Sequence, residues 1–510
     1  MSGDRHLRPD PEGRVAGSPT RLATVLITAD PEHAATVAGQ HLLQMLVNLL
    51  ARQFGIVESI VVDIEQAPVH PYVFRAPRID DGDLAPALLE LGHCVGGPSI
   101  RTTVPKESLH PTVILHVGEG FDPTSVPEPA MAVAGSGWKV AARTTGPLAD
   151  TTPTSPNPLG PHLAACIAAS FAFKSAYSKH APVDITLDMW PEERDGPELD
   201  GLELPAAYVL GLGAVGAAFG YVLSCAPGLR GSLMAIDPQD MSDTDRNRLL
   251  SGIADSVGQA KARLFELLFA GTHFDIGSFT GKWPHDYLGD PGHSVPADLQ
   301  DDEARGRFRW IISCVDRDDD RANIAARLPR HVLSGSTFGM AAQDMYYSPE
   351  GQCECLACRH LAPQRVKVEE VSERLRSLSP SERETWYREY GASTQERAAV
   401  DAYLDADDPT CATPGAADLA RLGLHGRVDW AVGFVSVAAG VILAARFIRT
   451  AILGPEAEST GGSEWRLFFW RDELDIHQAR RRPDCPICGG QLSEAWQALW
   501  GEVPLDESPK

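Results

Sequence analysis

The chain has 510 residues, which at roughly 150 residues per domain predicts about two to four domains. With 43% apolar and 22% charged residues, its composition excludes a largely disordered, collagenous or coiled-coil protein. The formal net charge of −24 argues against nucleic acid as a partner, because binding to duplex phosphates requires a basic surface.

Cysteine content and apolar runs bear on the compartment. Ten cysteines are too few for a disulfide scaffold, and the polar first 21 residues lack the apolar core of a secretory signal. The longest apolar run, Trp430 to Ala445, is shorter than the roughly 20 residues that span a bilayer, which favours a buried helix. We therefore expect a cytoplasmic protein with no membrane association, where paired cysteines more often bind metal than form disulfides.

The N-terminal part of the chain alternates between strand-like and helix-like patterns. Residues 1–20 are expected to be a flexible tail, residues 21–188 an α/β domain with a largely parallel sheet, and the acidic segment 189–204 a linker. This domain contains no G-x-G-x-x-G fingerprint, so its sequence assigns it no activity. Its predicted elements are, in chain order, strand Leu22–Thr28, helix His33–Phe54, strands Ile60–Ile64, Thr112–Val117 and Trp138–Ala142, and helix Pro161–Tyr177.

The pattern predicts a second α/β domain over residues 205–495. Its highly charged segment 364–405 is expected to be an exposed helical insert, and residues 496–510 are expected to be a tail. The two α/β halves show no repeat at a fixed period but are compatible with distant copies. The predicted elements of this domain include strands Ala206–Leu210 and Arg307–Cys314, a buried helix within Val428–Leu453 and a late strand Trp465–Trp470.

A glycine-rich turn follows the first predicted strand of this second domain. Gly211, Gly213 and Gly216 form G-x-G-x-x-G between a strand and a helix, and Asp237 ends the next strand. In a Rossmann-like, doubly wound fold these glycines allow a tight turn, the approach of a phosphate and close helix–strand packing, while the acid accepts from ribose hydroxyls. The motif fits NAD, FAD or ATP equally well, and a glycine-rich turn without a ligand is the alternative.

The segment after Asp237 distinguishes between these nucleotides. It reads PQDMSDTDRNRLLSGIADSVGQAKARLFELL and resembles the ThiF/MoeB/E1 superfamily, ATP-dependent enzymes that activate ubiquitin-like proteins and sulfur carriers. The resemblance implies that Arg248 and Lys261 clamp the triphosphate, a pair of cations that hydride transfer does not need. The family asparagine falls on Asp245, which departs from the family pattern. A solvated helix face with scattered charges is the alternative.

The next predicted strand also ends as in this superfamily, in WIISCVDRDDDR. The resemblance implies that Asp316 coordinates Mg²⁺ at the phosphates, which suits an ion that prefers one or two carboxylates together with substrate phosphates. Arg321 matches the family's following arginine and is expected to be structural. The acids Asp318 to Asp320 are expected to be solvated at a helix start, where negative charge is favourable.

Two C-x-x-C pairs predict a zinc site. Cys355 and Cys358 form the first pair, Cys485 and Cys488 the second, and together they can supply the four thiolates of a closed structural tetrahedron. The later pair, in RRPDCPICGG, also resembles the family's C-terminal zinc signature. Because a closed site leaves no open coordination position, we expect Zn²⁺ to stabilise the fold rather than to take part in catalysis. Free thiols are the alternative.

The remaining cysteines have different expected roles. In the superfamily, the loop before the long apolar helix carries the cysteine that takes the activated acyl group, and the resemblance implies this role for Cys411. Cys353, beside the first zinc pair, is the alternative candidate for the acyl-accepting cysteine, or an additional metal ligand. Cys166, Cys225 and Cys314 lie in apolar segments and are expected to be core residues.

The resemblance covers about residues 205–490, with four motifs in the family order. It implies an adenylyltransferase, a ubiquitin-like modifier activating enzyme, that uses Mg-ATP to adenylate the C-terminal carboxylate of a small ubiquitin-like or sulfur-carrier protein. An E2-like conjugating protein is a further expected partner, with the helical insert 364–405 as a docking element. A peptide-adenylating enzyme of modified-peptide biosynthesis, a non-catalytic adaptor with Asp245 impairing ATP binding, and an NAD(P)-dependent oxidoreductase are the alternatives.

The N-terminal half resembles the same fold more distantly. Its segment Asn157–Tyr177 is similar to the family's crossover helix. We interpret this half as an inactive adenylation-like half, as in pseudo-symmetric E1 enzymes, or as a distinct partner-recruiting domain. The chain is accordingly expected to be a monomer with pseudo-dimeric halves or a homodimer.

Overall fold

The protein is described from a computed structural model. The residues that it describes are 19–102, 110–148, 155–179, 182–190, 195–290, 292–350, 353–359, 368–390, 392–406, 415, 419, 432–460, 462–488, 490 and 492–501.

The chain folds into two compact units. Both α/β halves belong to the first unit, which comprises Met1–Leu361 and Ala431–Lys510, and the second unit is Ala362–Trp430. The division therefore falls at the predicted helical insert and not at the predicted linker, residues 189–204. The physical reason is that helices from both halves share one core.

The N-terminal half is built on a seven-stranded sheet in the order β5-β2-β1-β6-β7-β8-β9. The first five strands in this order are parallel, and β8 runs antiparallel to both β7 and β9. A separate hairpin is formed by β3 and β4. The strands are β1 (Ala23–Ala29), β2 (Val57–Asp63), β3 (Phe74–Arg75), β4 (Arg78–Ile79), β5 (Ser99–Thr102), β6 (Val113–Val117), β7 (Ala130–Ser136), β8 (Lys139–Arg143) and β9 (Asp184–Asp188). The helices are α1 (Pro31–Ala34), α2 (Val37–Ala51), α3 (Leu84–Val95) and α4 (Leu159–Ala176).

The C-terminal half is built on an eight-stranded sheet in the order β12-β11-β10-β13-β14-β15-β16-β17. Its first five strands are parallel and the last three add antiparallel pairs. The strands are β10 (Ala207–Leu210), β11 (Arg230–Ile236), β12 (His273–Phe279), β13 (Trp310–Ser313), β14 (His331–Phe338), β15 (Ala341–Tyr347), β16 (Glu464–Phe468) and β17 (Glu473–His477). The helices of the first unit in this half are α5 (Ala214–Ser224), α6 (Lys261–Leu268), α7 (His285–Gly289), α8 (Ala297–Ala304), α9 (Asp318–Ala325) and α10 (Leu356–Arg359), followed after the insert by α14 (Gly433–Leu453), α15 (Pro455–Thr460) and α16 (Ser493–Trp500).

The two sheets repeat one connectivity. Each has five parallel strands with the first strand of the half, β1 or β10, at the centre, and each continues into antiparallel strands. In each half a long buried helix, α4 or α14, connects two antiparallel strands. This repetition agrees with the interpretation of the halves as distant copies. Both halves are α/β with mostly parallel strands, and the second is the expected Rossmann-like, doubly wound sheet.

A layer of long helices joins the halves. The helix α4 packs against α2 of its own half and against α14, which in turn packs against α5. Every residue of α4 is buried, and a Cβ atom at Gly440 in α14 would lie only 2.5 Å from the Ala218 Cβ of α5. Between α2 and α5, Gln44 Nε2 donates to the Tyr221 hydroxyl over 2.7 Å. The apolar faces of the two halves thus cover one another.

The long helix predicted around Trp430 to Ala445 is confirmed as α14. It is long and apolar enough to cross a membrane, but 89% of its most apolar stretch of 18 residues is buried inside the protein. The predicted helix His33–Phe54 begins instead as the short α1 and continues as α2. The predicted C-terminal tail is wrong for residues 496–500, because these complete α16, where the Trp500 indole donates to the Leu328 carbonyl over 2.8 Å.

The helical insert forms a small core of its own. Its described residues include three helices, α11 (Val368–Ser377), α12 (Pro380–Glu389) and α13 (Thr394–Leu404). Ser379 and Ser393 cap α12 and α13 through hydrogen bonds with a glutamate three residues later. Buried side chains including Trp386, Val400 and Tyr403 pack together between these helices. The predicted helical character is confirmed, and the segment is a compact unit in its own right.

Candidate functional site

The glycine turn after β10 has the geometry that binding of a phosphate requires. Gly211 has a φ of +84°, and a Cβ atom there would lie 2.9 Å from the Cys314 carbonyl oxygen. At Gly216 a Cβ atom would lie 2.1 Å from the Gly211 carbonyl oxygen, so both residues must be glycine for packing. At Gly213, by contrast, an added Cβ meets no atom of the described residues within 4 Å. Among these residues, open space therefore lies over the one that caps the N-terminus of α5.

The sheet topology places this turn at a switch point. The strand β10 lies between β11 and β13, which continue the sheet in opposite directions. Loops that follow the two central strands diverge there and leave a crevice at the carboxyl edge. The loop from Cys314 to Arg317, which carries Asp316, begins beside Gly211. The expected proximity of the glycine turn and the Asp316 loop thus follows from the pairing of β10 with β13.

Asp237 fixes the glycine turn. One oxygen of its carboxylate accepts from the Leu212 N–H over 2.6 Å and the other from the Gln239 N–H over 2.8 Å. Burial raises the pKa of Asp237, although both backbone hydrogen bonds oppose that shift. The predicted position at the end of β11 is correct, and the carboxylate connects the turn to the segment that carries the cations. That Asp237 also accepts hydrogen bonds from the ribose of a bound nucleotide stays a prediction.

The structure brings Arg248, Lys261 and Asp245 together. Arg248 Nη2 lies 2.7 Å from Asp245 Oδ1, and Lys261 Nζ lies 3.4 Å from Asp245 Oδ2. Lys261 Nζ also donates to Gln239 Oε1 over 2.8 Å. Burial acts to raise the pKa of Asp245, but the Ser242 N–H and the charges of Lys261 and Arg248 outweigh burial and hold the pKa below its ordinary value. Asp245 is therefore an ionised partner of both cations.

Asp316 and Arg321 occupy the loop and helix that follow β13. Asp316 is exposed at the carboxyl edge of the sheet, where a carboxylate can reach a metal ion bound to phosphates. Arg321 donates to the Val315 carbonyl and to Asp318, each over 2.9 Å. The expectation that Arg321 is structural agrees with these contacts, since they hold the start of α9 to the loop that carries Asp316.

A residue of the N-terminal half supports the Arg248 segment. Arg52, at the end of α2, is buried and donates to the carbonyls of Arg246 over 2.6 Å and Gly252 over 2.9 Å. Arg246 in turn donates to the Val95 carbonyl at the end of α3 over 2.7 Å. Burial lowers the pKa of Arg52 to about 9, which keeps it charged at neutral pH. The sequence analysis missed Arg52; its only signal is a charge at the end of an apolar helix.

The N-terminal half places its own carboxylate at the position that corresponds to the glycine turn. Asp30 follows β1 directly, and its Oδ2 accepts from the N–H groups of Glu119 and Gly120, both over 2.8 Å. Its Oδ1 lies 3.2 Å from His116 Nε2. A Cβ atom at Gly120 would lie 2.4 Å from the Asp30 carboxylate. At this edge of the N-terminal sheet, the backbone N–H groups of Glu119 and Gly120 are therefore hydrogen-bonded to the side chain of Asp30.

The four predicted zinc ligands are brought together across the chain. The sulfur atoms of Cys355 and Cys358 lie 3.9 Å apart, those of Cys355 and Cys485 3.5 Å, and those of Cys358 and Cys488 3.4 Å. Zn–S bonds of about 2.3 Å in a tetrahedron separate sulfurs by about 3.8 Å, so the cluster fits a zinc ion. The sulfurs lie within the core of the C-terminal half, so that a bound ion would join α10 to the segment after β17.

The two candidate acceptor cysteines differ in what the structure shows. Cys411 lies outside the described residues, and its thioester role stays a prediction. Cys353 is fully buried beside Gln478, and burial raises the pKa of its thiol. Cys353 is also outside the four-cysteine cluster. It is therefore suited neither to attack an acyl group nor to bind the zinc.

Comparison with known proteins gives one family match and several structural neighbours. A family described as the BilD N-terminal domain matches residues 24–183, which is the N-terminal half. No curated protein matches the chain.

The structural neighbours include several structures of E. coli MccB. MccB with MccA-N7isoASN is 14% identical, with a TM-score of 0.35, and the match covers 56% of this chain and 67% of that chain. MccB with ATP gives 14% and 0.35, with 57% and 68% covered. The microcin C7 biosynthetic enzyme MccB with N-formylated MccA gives 15% and 0.35, with 56% and 67% covered. Likeness at this level assigns no residue and no activity to this chain.

Proposed function

We propose that the chain is an ATP-dependent adenylyltransferase that activates a carboxyl terminus. The observation that carries this proposal is the convergence of Arg248 and Lys261 on Asp245 beside the glycine turn. A continuous set of contacts leads from the turn through Asp237 and Gln239 to Lys261. Two cations at this point suit a triphosphate, whereas the nicotinamide of a hydride-transfer enzyme has no need for them.

In the proposed reaction, ATP binds with its phosphates over Gly213 and the N-terminus of α5. The backbone N–H groups there and the two cations stabilise the negative charge that develops as an acceptor carboxylate oxygen attacks the α-phosphorus. The bond between the α- and β-phosphates breaks, pyrophosphate leaves and an acyl-adenylate forms. Mg²⁺, held by Asp316, would add positive charge at the phosphates. Asp245 releases the cations to the phosphates when the nucleotide binds.

The acceptor we propose is the C-terminal carboxylate of a small ubiquitin-like or sulfur-carrier protein. The second acceptor that we propose is a short peptide, as in modified-peptide biosynthesis. Two of the structures of the neighbour MccB contain MccA. Subsequent transfer to Cys411 as a thioester and docking of an E2-like protein on the insert belong to the first of these. Both acceptors require the same adenylation chemistry at the glycine turn.

The first experiment is a thermal-shift series on the full chain with Mg-ATP, ATP with EDTA, AMP, NAD and NADP. A ligand at 100 times its Kd adds about 2.7 kcal/mol to the folded state, which such a series detects. We expect stabilisation by Mg-ATP and none by NAD. Stabilisation by NAD alone would overturn the proposal, and no shift with any nucleotide would favour a non-catalytic adaptor.

Pyrophosphate exchange into ATP then tests the chemistry. We expect exchange that depends on an added ubiquitin-like protein or on an added peptide with a free C-terminus, and whichever one is required identifies the acceptor class. Lys261→Ala should abolish exchange without unfolding the chain. Arg263→Ala is the matched control, because Arg263 lies on the same helix but is exposed and pairs with Glu266. Normal exchange in Lys261→Ala would contradict the assigned role.

A further inference from the structure

Three metal-binding side chains meet inside the helix layer, at a distance from the nucleotide site. His41 lies on α2, His162 on α4, and Cys225 directly follows α5. One ligand atom from each lies within 4.8 Å of the other two. The imidazole rings are 5.2 Å apart and perpendicular to one another, and all three side chains are completely buried. The cluster therefore draws on both halves of the chain.

The histidines of this cluster are unsatisfied as core residues. Neither ring nitrogen of His41 nor of His162 has a hydrogen-bond partner among the described residues. A buried polar group without a hydrogen-bond partner destabilises the folded state by about 1–3 kcal/mol, so two such imidazoles are unfavourable as ordinary core residues. The side-chain oxygen of Gln44, one turn after His41 on α2, is also buried without a partner among those residues. Together these atoms point to a ligand that accepts electron pairs.

We propose that His41, His162 and Cys225 bind a soft transition-metal ion of the copper(I) or zinc(II) class. Imidazole and thiolate ligands together select these ions. Metal–nitrogen bonds of about 2.0 Å and a metal–sulfur bond of about 2.3 Å place ligand atoms about 3.3–3.8 Å apart, so side-chain shifts of about 1 Å close the site. Burial keeps both imidazoles neutral, with the pKa of His41 lowered to about 3, so a lone pair is available on each ring.

Charge and coordination number favour copper(I) over zinc(II) at this site. Two neutral imidazoles and one thiolate carry a single negative charge, which copper(I) neutralises and zinc(II) exceeds. Burial raises the pKa of the Cys225 thiol to about 12, although the positive charge of Arg75 opposes that shift, and the same charge disfavours an excess positive charge on the ion. Zinc almost always takes four ligands, whereas this cluster supplies three. A bound zinc ion would therefore require a fourth ligand.

The site is structural. The helix α5 has 11 residues, so about 16 Å of helix separates Cys225 from the glycine turn at the other end. Binding releases the Cys225 thiol proton and ties α2 and α4 of one half to α5 of the other. The ion would thus stabilise the helix layer that joins the two sheets, without contact with the nucleotide.

Elemental analysis of the purified full chain, after loading with zinc(II) or copper(I) and desalting, tests the proposal. We expect two metal ions per wild-type chain, one in the four-cysteine cluster and one in this site. Cys225→Ala and His162→Gln should each retain one ion. Cys166→Ala is the matched control, because Cys166 is equally buried on α4 but outside the cluster, and it should retain two. One ion in the wild type, unchanged by Cys225→Ala, would overturn the proposal.

X-ray absorption on the wild-type chain gives a readout that does not depend on how the variants fold. Two occupied sites predict scattering from imidazole ligands together with sulfur at about 2.3 Å. Three-coordinate copper identifies the monovalent ion, and zinc with imidazole nitrogen ligands identifies the divalent one. A spectrum with four sulfur ligands and no imidazole, at one metal per chain, would exclude the site.

Discussion

Replacing Gly213 by alanine should separate nucleotide binding from folding. The added Cβ atom meets no atom of the described residues within 4 Å, and the backbone at Gly213 is extended, with a φ of −69°, a conformation open to alanine. Losing the flexibility of glycine in the unfolded chain should stabilise the fold by about 0.4–1 kcal/mol. The unliganded variant should therefore unfold at the temperature of the wild type or slightly above it.

The same methyl group occupies the space into which we place the phosphates. A phosphate that cannot approach the backbone loses charge-assisted hydrogen bonds worth about 1.5–3 kcal/mol, which corresponds to about a 10- to 150-fold weaker affinity. Isothermal titration calorimetry with Mg-ATP measures this loss directly. Binding of Mg-ATP to Gly213→Ala with wild-type affinity would refute the placement of the phosphates over this turn.

Gly211→Ala and Gly216→Ala are the contrasting variants. The alanine at position 211 must adopt a φ of +84° and lie 2.9 Å from a carbonyl oxygen, and the one at position 216 would lie 2.1 Å from another. Backbone strain of this kind costs about 1–3 kcal/mol, so these variants should lose stability without any ligand. A glycine turn that served packing alone would show the same contrast in stability, but Gly213→Ala would then leave the affinity for Mg-ATP unchanged.

Three further perturbations test the surroundings of the site. Asp245→Asn should leave the affinity for Mg-ATP unchanged or raise it up to about tenfold, or 1.4 kcal/mol, because Lys261 loses a competing anion; a collapse of affinity in calorimetry would show that the acid itself contributes to binding. Arg52→Gln should destabilise the fold by about 3 kcal/mol in urea unfolding, since buried carbonyls lose their donor, and should weaken ATP binding through the Arg248 segment; unaltered affinity would separate the N-terminal half from the site. Chelation of zinc, or Cys485→Ser, should lower the unfolding temperature while the folded fraction still binds Mg-ATP, and loss of binding without loss of fold would give the zinc a role that a closed site does not provide.

Local geometry accounts for what the sequence predicted well. The role of each glycine in the turn follows from φ and from the distance between a strand and the helix after it, and both are set within six residues. The four zinc ligands were predictable because each pair is spaced for one ion. The β-bridge between Cys353 and Arg480, which brings the two pairs together, was not predictable, since these residues are far apart in the chain.

Contacts between distant segments account for what the sequence did not predict. The helix α14 is apolar over most of its length, which indicates burial but not the helices that cover it. The boundary at residues 189–204 was predicted from composition, yet α4 and α14 share one core across it. His41 and His162 each read as an ordinary residue of an apolar helix, and only folding shows that their rings are neighbours. Likewise, nothing near Asp245 in the chain indicated that it would pair with Lys261 as well as Arg248.

The contact of Arg52 with the segment from Arg246 to Gly252 has a consequence for how the site responds to dilution. When a supporting arginine comes from a second polypeptide, its contact is lost as the concentration falls below the dissociation constant of the pair. Here the supporting helix is covalently attached to the segment that it holds. The geometry around Arg248 is therefore maintained by an intramolecular equilibrium, and it stays the same whether the cell contains many copies of the chain or few.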